Sequence, residues 1–242
     1  MKKVYENVSL GFIGDIHGDF QKLQKLIKPF ENTVFIVVGD CGFGFSNTKE
    51  DKIRKMLKSN FNEFLEKRNL YLLFIRGNHD DPRYFDEIYT ENDNVLFNER
   101  FRLLPDYTLV SVNNVNILCV GGAVSVDRRF RKVNSSYWYH EEMIDLELYN
   151  YKVDILCTHT IDKQLIQHYL PIMPDWVKIS FDVDKKLSLD SNRENSICKG
   201  LLLYYNPQMW IHGHYHVSGR SQYNNIEIIS LNCNELYEYR SR

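Results

Sequence analysis

The chain has 242 residues, 43% of them hydrophobic, which is enough apolar material for a sizeable core in one domain spanning 1–242. Lys and Arg number 30 against 32 Asp and Glu, so no global field favours nucleic acid or an anionic membrane, and any attraction for phosphate has to be local. No stretch approaches the roughly 20 apolar residues of a membrane span, and the opening MKKVYENVSLGF lacks the long apolar core and small-residue cleavage site of a secretory signal. A soluble, cytoplasmic protein without a membrane partner is expected. The 5 cysteines (Cys41, Cys119, Cys157, Cys198, Cys233) are odd in number and show no zinc-type pairing, which suits buried free thiols.

In chain order, β-branched and aromatic runs recur at 8–13 (VSLGFI), 33–38 (TVFIVV), 70–75 (LYLLFI), 115–120 (VNILCV), 153–158 (VDILCT), 208–211 (QMWI) and 226–231 (IEIISL). Each predicts a largely buried strand. Leu, Ile and Met at helical spacing predict helices over Phe20 to Ile27, Glu50 to Lys67 and about Lys186 to Tyr205, with Asp19 as a helix-start residue. Two longer stretches are expected to be active-site loops. The first, 122–142, sets Arg128, Arg129, Arg131 and Lys132 beside Tyr137, Trp138 and Tyr139. The second, 171–186, has two prolines and no clear period and reads as an irregular lid or surface excursion.

Chemistry gathers after the strands. The predicted strands are followed by Asp15 and His17, by Gly39-Asp40, by Gly77-Asn78-His79-Asp80, by Gly121-Gly122, by His159 and by His212-Gly213-His214-Tyr215-His216. In open α/β sheets, ligands bind outside the carboxyl ends of the strands, so a shared face would collect these residues into one site. Alone, Asp-x-His reads more readily as a turn beside a surface histidine, and Gly-Asp more readily still as an ordinary turn pair. The histidine run says more. As a continued strand it would point all three rings to one face, whereas a sharp turn at Gly213 would let His214 and His216 converge while His212 turns away. Carboxylate, amide and imidazole without cysteine at ligand spacing suit Mn²⁺, Fe or Zn²⁺ better than Ca²⁺ or a structural zinc site.

In this order, Asp15-x-His17, Gly39-Asp40, Gly77-Asn78-His79-Asp80, His159 and Gly213-His214-x-His216 resemble the five motifs of the calcineurin-like metallophosphoesterase superfamily. The resemblance implies an α/β fold in which two mixed β-sheets pack face to face and are flanked by helices. It also implies a dinuclear centre at the strand ends. Asp15, His17 and His216 would hold one metal and Asn78, His159 and His214 the other, with Asp40 bridging. The two divalent ions, Mn²⁺ foremost with Fe, Zn²⁺ or Mg²⁺ as alternatives, would activate a hydroxide for attack on a phosphate mono- or diester. His79 would act as general acid to the leaving oxygen or as a donor to the phosphate. His212 is expected to pack behind the ligands, and His140 and His168 to lie on the surface.

The match departs after the second motif. The protein serine/threonine phosphatases and symmetrical dinucleoside tetraphosphatases carry Asp-Arg-Gly or a related Arg-containing sequence there. Here Cys41-Gly42-Phe43-Gly44-Phe45 stands instead, which counts against both activities. GGAVSVDRRFR resembles a loop of certain bacterial and phage members, matching at Ser125, Asp127 and Arg131, so these three are candidate substrate contacts, with a solvated basic loop as the alternative. The expected partner is a phosphate-ester substrate, small or nucleotide-like. A nuclease, drawing on the Arg and aromatic loop, and a non-catalytic interaction module on the same fold are the competing functions.

Overall fold

The computed structural model describes residues 2–45, 60–85, 99–138 and 145–240. Its strands are β1 (Lys2–Tyr5), β2 (Ser9–Ile13), β3 (Thr33–Val37), β4 (Leu70–Phe74), β5 (Phe101–Leu103), β6 (Thr108–Val112), β7 (Val115–Val120), β8 (Ile155–Thr158), β9 (Met209–His212), β10 (Gly219–Tyr223), β11 (Ile226–Ser230) and β12 (Leu236–Tyr239). Its α-helices are α1 (Phe20–Ile27), α2 (Phe61–Lys67), α3 (Asp175–Val183) and α4 (Leu187–Tyr205). All seven predicted strands are present. The predicted helix from Glu50 lies largely outside the described residues, and α2 is its described end. Within 171–186 the structure differs from the irregular reading: Pro174 stands at the N-cap, where its fixed φ and missing N–H are harmless, and α3 follows.

The strands form one sheet in the order β1-β6-β7-β8-β9-β11-β10 and a second in the order β12-β2-β3-β4-β5. Both are mixed: β7, β8, β9 and β11 run parallel, as do β2, β3, β4 and β5, with antiparallel pairs at β6–β7, β10–β11 and β12–β2. Successive side chains of a strand point to opposite faces, and the parallel strands are apolar on both, so each sheet needs cover on two sides. Phe12, Val34, Ile36 and Leu73 of the small sheet meet Val110, Ile117, Cys119, Ile155, Cys157 and Ile211 of the large one, forming a core between the sheets. The opposite face of the small sheet is covered by Phe20, Leu23 and Ile27 of α1 and Phe61 and Leu65 of α2. Ile197, Cys198, Leu201 and Leu202 of α4 close the outer face of the large sheet over Leu118, Leu156 and Trp210. The result is a four-layer α/β sandwich. Among the described residues no helix is long and apolar enough to cross a membrane.

Two local devices fix the frame around the site. Asp19 begins α1 by accepting the Lys22 N–H at 3.0 Å, a side-chain cap for an otherwise unpaired donor. Asp80, buried after β4, accepts backbone N–H groups from Gly77 at 2.8 Å, Cys41 at 3.0 Å, Gly42 at 2.6 Å and Phe43 at 2.8 Å. That clamp ties the segment after β3 to the segment after β4.

Candidate metal centre

Six central strands, β2, β3 and β4 of one sheet and β7, β8 and β9 of the other, end at the same rim. Asp15 and His17 follow β2, Asp40 follows β3, Asn78 and His79 follow β4, Ser125 follows β7, His159 follows β8 and His214 and His216 follow β9. Backbone bonds continue past the strand ends and hold the segments in register: His17 N donates to Asp40 O at 2.7 Å, and Gly213 N to His159 O at 3.1 Å. The turns are tight enough to need unusual backbone. His17 (φ 46°), Asp40 (φ 48°), His214 (φ 68°) and His216 (φ 51°) are all left-handed, a conformation costing on the order of 1 kcal/mol at each non-glycine residue. Most other non-glycine residues with left-handed backbone are asparagines, which tolerate it, so three histidines in this conformation within one cluster mark a site whose geometry the rest of the fold enforces.

Glycines let these side chains close up. A Cβ on Gly39, itself at φ 101°, would stand 2.2 Å from His159 Nδ1, and one on Gly213 would stand 2.1 Å from Asp15 Oδ1.

Two groups of donors result. In one, His216 Nε2 lies 3.1 Å from Asp15 Oδ2 and 3.0 Å from His17 Nε2, and His17 Nδ1 lies 3.9 Å from Asp40 Oδ2. One ligand atom from each of Asp15, His17, Asp40 and His216 falls within a 4.8 Å cluster. In the other, Asn78 Oδ1 is 3.1 Å from both His159 Nε2 and His214 Nδ1, and His159 Nε2 is 3.2 Å from Asp40 Oδ1. Asp40 therefore turns one carboxylate oxygen to each group. Asp15 and Asp40 are both buried, and buried carboxylates need cationic partners. His159 responds: burial pulls its pKa down, but Asp40 and Asp15 outweigh burial and raise it to about 9. Burial likewise raises Asp40, yet His159, His79 and His17 together hold it well below the usual carboxylate range. Hard oxygen and imidazole donors around concentrated negative charge fit divalent cations.

His79 sits beside this cluster, its Nε2 3.9 Å from Asp40 Oδ2 and its backbone N–H donating to Asp40 Oδ1 at 2.8 Å. Arg131 Nη2 donates to His79 Nε2 at 2.9 Å, so that nitrogen is the acceptor and the ring is neutral. Burial, helped by Arg131 and opposed by Asp40, pulls His79 down to about 4. The other substrate candidates are engaged within the protein. Arg131 Nη2 pairs with Asp127 Oδ1 at 2.6 Å while Nη1 donates to Asn78 O at 3.0 Å, and buried Ser125 accepts Asn78 Nδ2 at 2.8 Å. Arg128 is held by Asp184 at 2.7 Å and Asp190 at 2.6 Å, and Trp138 is buried, so neither offers itself to a polymer in solution. His212 lies behind this cluster, bonded to Gly213 O at 3.0 Å and to Ser230 Oγ, and burial lowers it to about 3. His168 is exposed; His140 and Tyr139 lie outside the described residues.

Three further contributors were not among the site candidates, although Arg76 opens the Arg76-Gly77-Asn78-His79 motif. Cys233 places its Sγ within 4.8 Å of ring nitrogens of His17 and His216. Arg76, nearly fully buried, donates from Nε to Asp106 Oδ2 at 2.7 Å, and Asp106 Oδ1 takes the Gly121 N–H at 2.7 Å, which braces the segments after β4 and β7. Glu194 of α4 accepts the Val124 N–H at 2.6 Å and the Thr160 hydroxyl at 3.2 Å.

No curated protein matches the chain by sequence. Among solved structures, the protein TT1561 of Thermus thermophilus superposes with a TM-score of 0.52 at 10% identity, covering 97% of this chain and 100% of that one, which shows the shared fold. A phosphopantetheinyl hydrolase from Mycobacterium tuberculosis (TM-score 0.45, 13% identity, 93% and 90% coverage) and the protein of unknown function AQ665 from Aquifex aeolicus (TM-score 0.42, 14% identity, 93% and 90% coverage) are also similar. The family model described as calcineurin-like phosphoesterase matches residues 8–218, a span that runs from the residue before β2 to just beyond His216. The chain belongs to the calcineurin-like phosphoesterase family, a family of metal-dependent enzymes that hydrolyse phosphoester bonds.

Proposed function

We propose that this chain hydrolyses a small or nucleotide-like phosphate mono- or diester at a dinuclear centre. In this reading Asp15, His17 and His216 hold one divalent cation, Asn78, His159 and His214 hold the other, and Asp40 bridges. The observation that carries it is the division of Asp40: Oδ1 lies 3.2 Å from His159 and Oδ2 3.9 Å from His17, so one carboxylate serves two donor groups. When bound, the cations, Mn²⁺ foremost, supply Lewis-acid stabilisation of phosphoryl charge and a water of lowered pKa.

The chain's own residues do the rest. The strained turns preset the donors, so little reorganisation accompanies binding of the phosphoryl group. His79 and Arg131 form one hydrogen-bonded pair beside Asp40, placing a guanidinium fork and an imidazole where phosphoryl oxygens would lie. If His79 is the general acid, Nε2 must first exchange Arg131 for a proton, and a phosphate oxygen that draws Arg131 away permits that exchange. The buried free thiols Cys41, Cys119, Cys157 and Cys198 support a reducing, cytoplasmic setting.

Mn²⁺-loaded protein is expected to hydrolyse p-nitrophenyl phosphate or its bis ester, and comparing the two separates monoesterase from diesterase. Asp40→Asn or His79→Ala should lower kcat by about 100-fold or more. Full activity in both variants would refute the assignment.

A further inference from the structure

The cavity that opens over Asp40, Asn78, His79, His214 and His216 does not end there. It encloses about 440 Å³, the scale of a small-molecule site, and continues to a wall made of Leu170, Met173, Trp176, Val177 and Phe181, from the segment before α3 and from α3 itself. This wall is apolar and part of it faces solvent: Trp176 is 52% exposed and Met173 43%. Large apolar side chains held open beside a polar reactive cluster gain most when a ligand covers them.

The polar groups along the same cavity are answered inside the protein. Lys163 Nζ donates to Ser191 Oγ at 3.3 Å and stands 5.6 Å from the Phe181 ring centre. Glu194 is occupied by Val124 and Thr160, and Arg131 by Asp127 and His79. A second anionic group beyond the scissile phosphate would therefore meet Lys163, bonded to Ser191, and Arg131, paired with Asp127, beside the buried carboxyl of Glu194. An uncharged ring or chain would meet Trp176, Met173 and Phe181.

Resting on the phosphoesterase reading above, we propose that the substrate is a phosphate ester whose organic group is uncharged and apolar, aryl or alkyl, and packs against Trp176, Met173 and Phe181 while its phosphoryl group lies at the Asp40 cluster. Polyphosphates and nucleic-acid strands are selected against by the same wall.

The test uses non-hydrolysable phosphonates, so it reads binding rather than turnover. Titration calorimetry on Mn²⁺-loaded protein should show 1-naphthylmethylphosphonate binding at least about tenfold more tightly than methylphosphonate. Trp176→Ala should remove most of that difference, Trp176→Phe should keep most of it, and a sulfonate on the naphthyl ring should weaken binding. Equal affinity for the two phosphonates, a difference that survives Trp176→Ala, or tighter binding of the sulfonated ring would each overturn the proposal. Failure of methylphosphonate itself to bind would instead sink the phosphoesterase reading. The wall is then tested in metal-free protein with 1-naphthol, which should quench tryptophan fluorescence saturably in wild type and not in Trp176→Ala; absence of quenching in wild type overturns the wall's assignment.

Discussion

Ser125 shows how much a single hydroxyl can decide. Asparagine offers a carbonyl and an amine at nearly the same place, and only the carbonyl can serve a cation. By accepting Asn78 Nδ2 at 2.8 Å, Ser125 turns Oδ1 toward His159 and His214, 3.1 Å from each. Groups that orient ligands in this way commonly carry about 10- to 100-fold of metal affinity. Ser125→Ala should weaken the tighter or the looser of two Mn²⁺ binding steps by about that factor in a metal titration, and unchanged affinity at both steps would remove Ser125 from this role. The sequence shows Ser125 within a recognisable loop, yet it cannot show which way the hydroxyl points. That direction depends on a contact between residues 47 positions apart. The candidate ligand positions were more legible, because each stands just after an apolar run that has to be a buried strand. Cys233 also follows an apolar run, 226–231, but it belongs to no motif, so position alone did not single it out.

At the scale of elements, α4 joins the outer layer to the site through Glu194. The carboxyl is buried on the helix face that packs on the large sheet, and burial pushes it up from 4.5 to about 7, against the hydrogen bonds from Val124 and Thr160 that favour its ionised form. A raised carboxyl favours folding while it is protonated. Its contribution is complete below about pH 4.5 and is lost as pH rises through about 7, on the order of 3 kcal/mol across that window. Burial raises Asp80 in the same direction, to about 7, so the informative quantity is the difference between variant and wild type. In metal-free protein, Glu194→Gln should gain stability relative to wild type as pH is raised from about 5 to about 8, read from thermal melts. A difference that stays constant with pH would show that the carboxyl is not held in this way. The strands that periodicity missed are β1, β5, β6, β10 and β12. β1 (KKVY), β10 (GRSQY) and β12 (LYEY) are sheet edges exposed to water and rich in polar residues, so their pairing partners and not their own pattern make them strands. β5 has 3 residues, too few to show a period. α3 was hidden by the prolines around it, although proline at a helix start is compatible with the helix.

For the whole molecule, the face-to-face packing of the sheets was legible only through family resemblance. Alternation within a strand says that two faces are apolar; it does not say whether a helix or another sheet covers each. The answer follows from volume and position: α1 and α2 cover one outer face, α4 the other, and the inner faces have only each other. This arrangement brings the carboxyl ends of two parallel sets of strands to one rim, which is why residues as distant in sequence as Asp15 and His216 meet at 3.1 Å. Because the donors are preset by the folded sandwich and scattered in the unfolded chain, cations should stabilise the native state by mass action. Excess Mn²⁺ should raise Tm by several degrees in wild type and by much less in Asp15→Asn, and equal shifts in the two would indicate binding elsewhere.

The proposal that Asp40 joins two cations in one site can be read by electron paramagnetic resonance of protein loaded with two equivalents of Mn²⁺. Wild type should give the spectrum of an exchange-coupled pair, replaced in Asp40→Asn by the signals of isolated ions. An isolated-ion spectrum in wild type at full loading would contradict the claim.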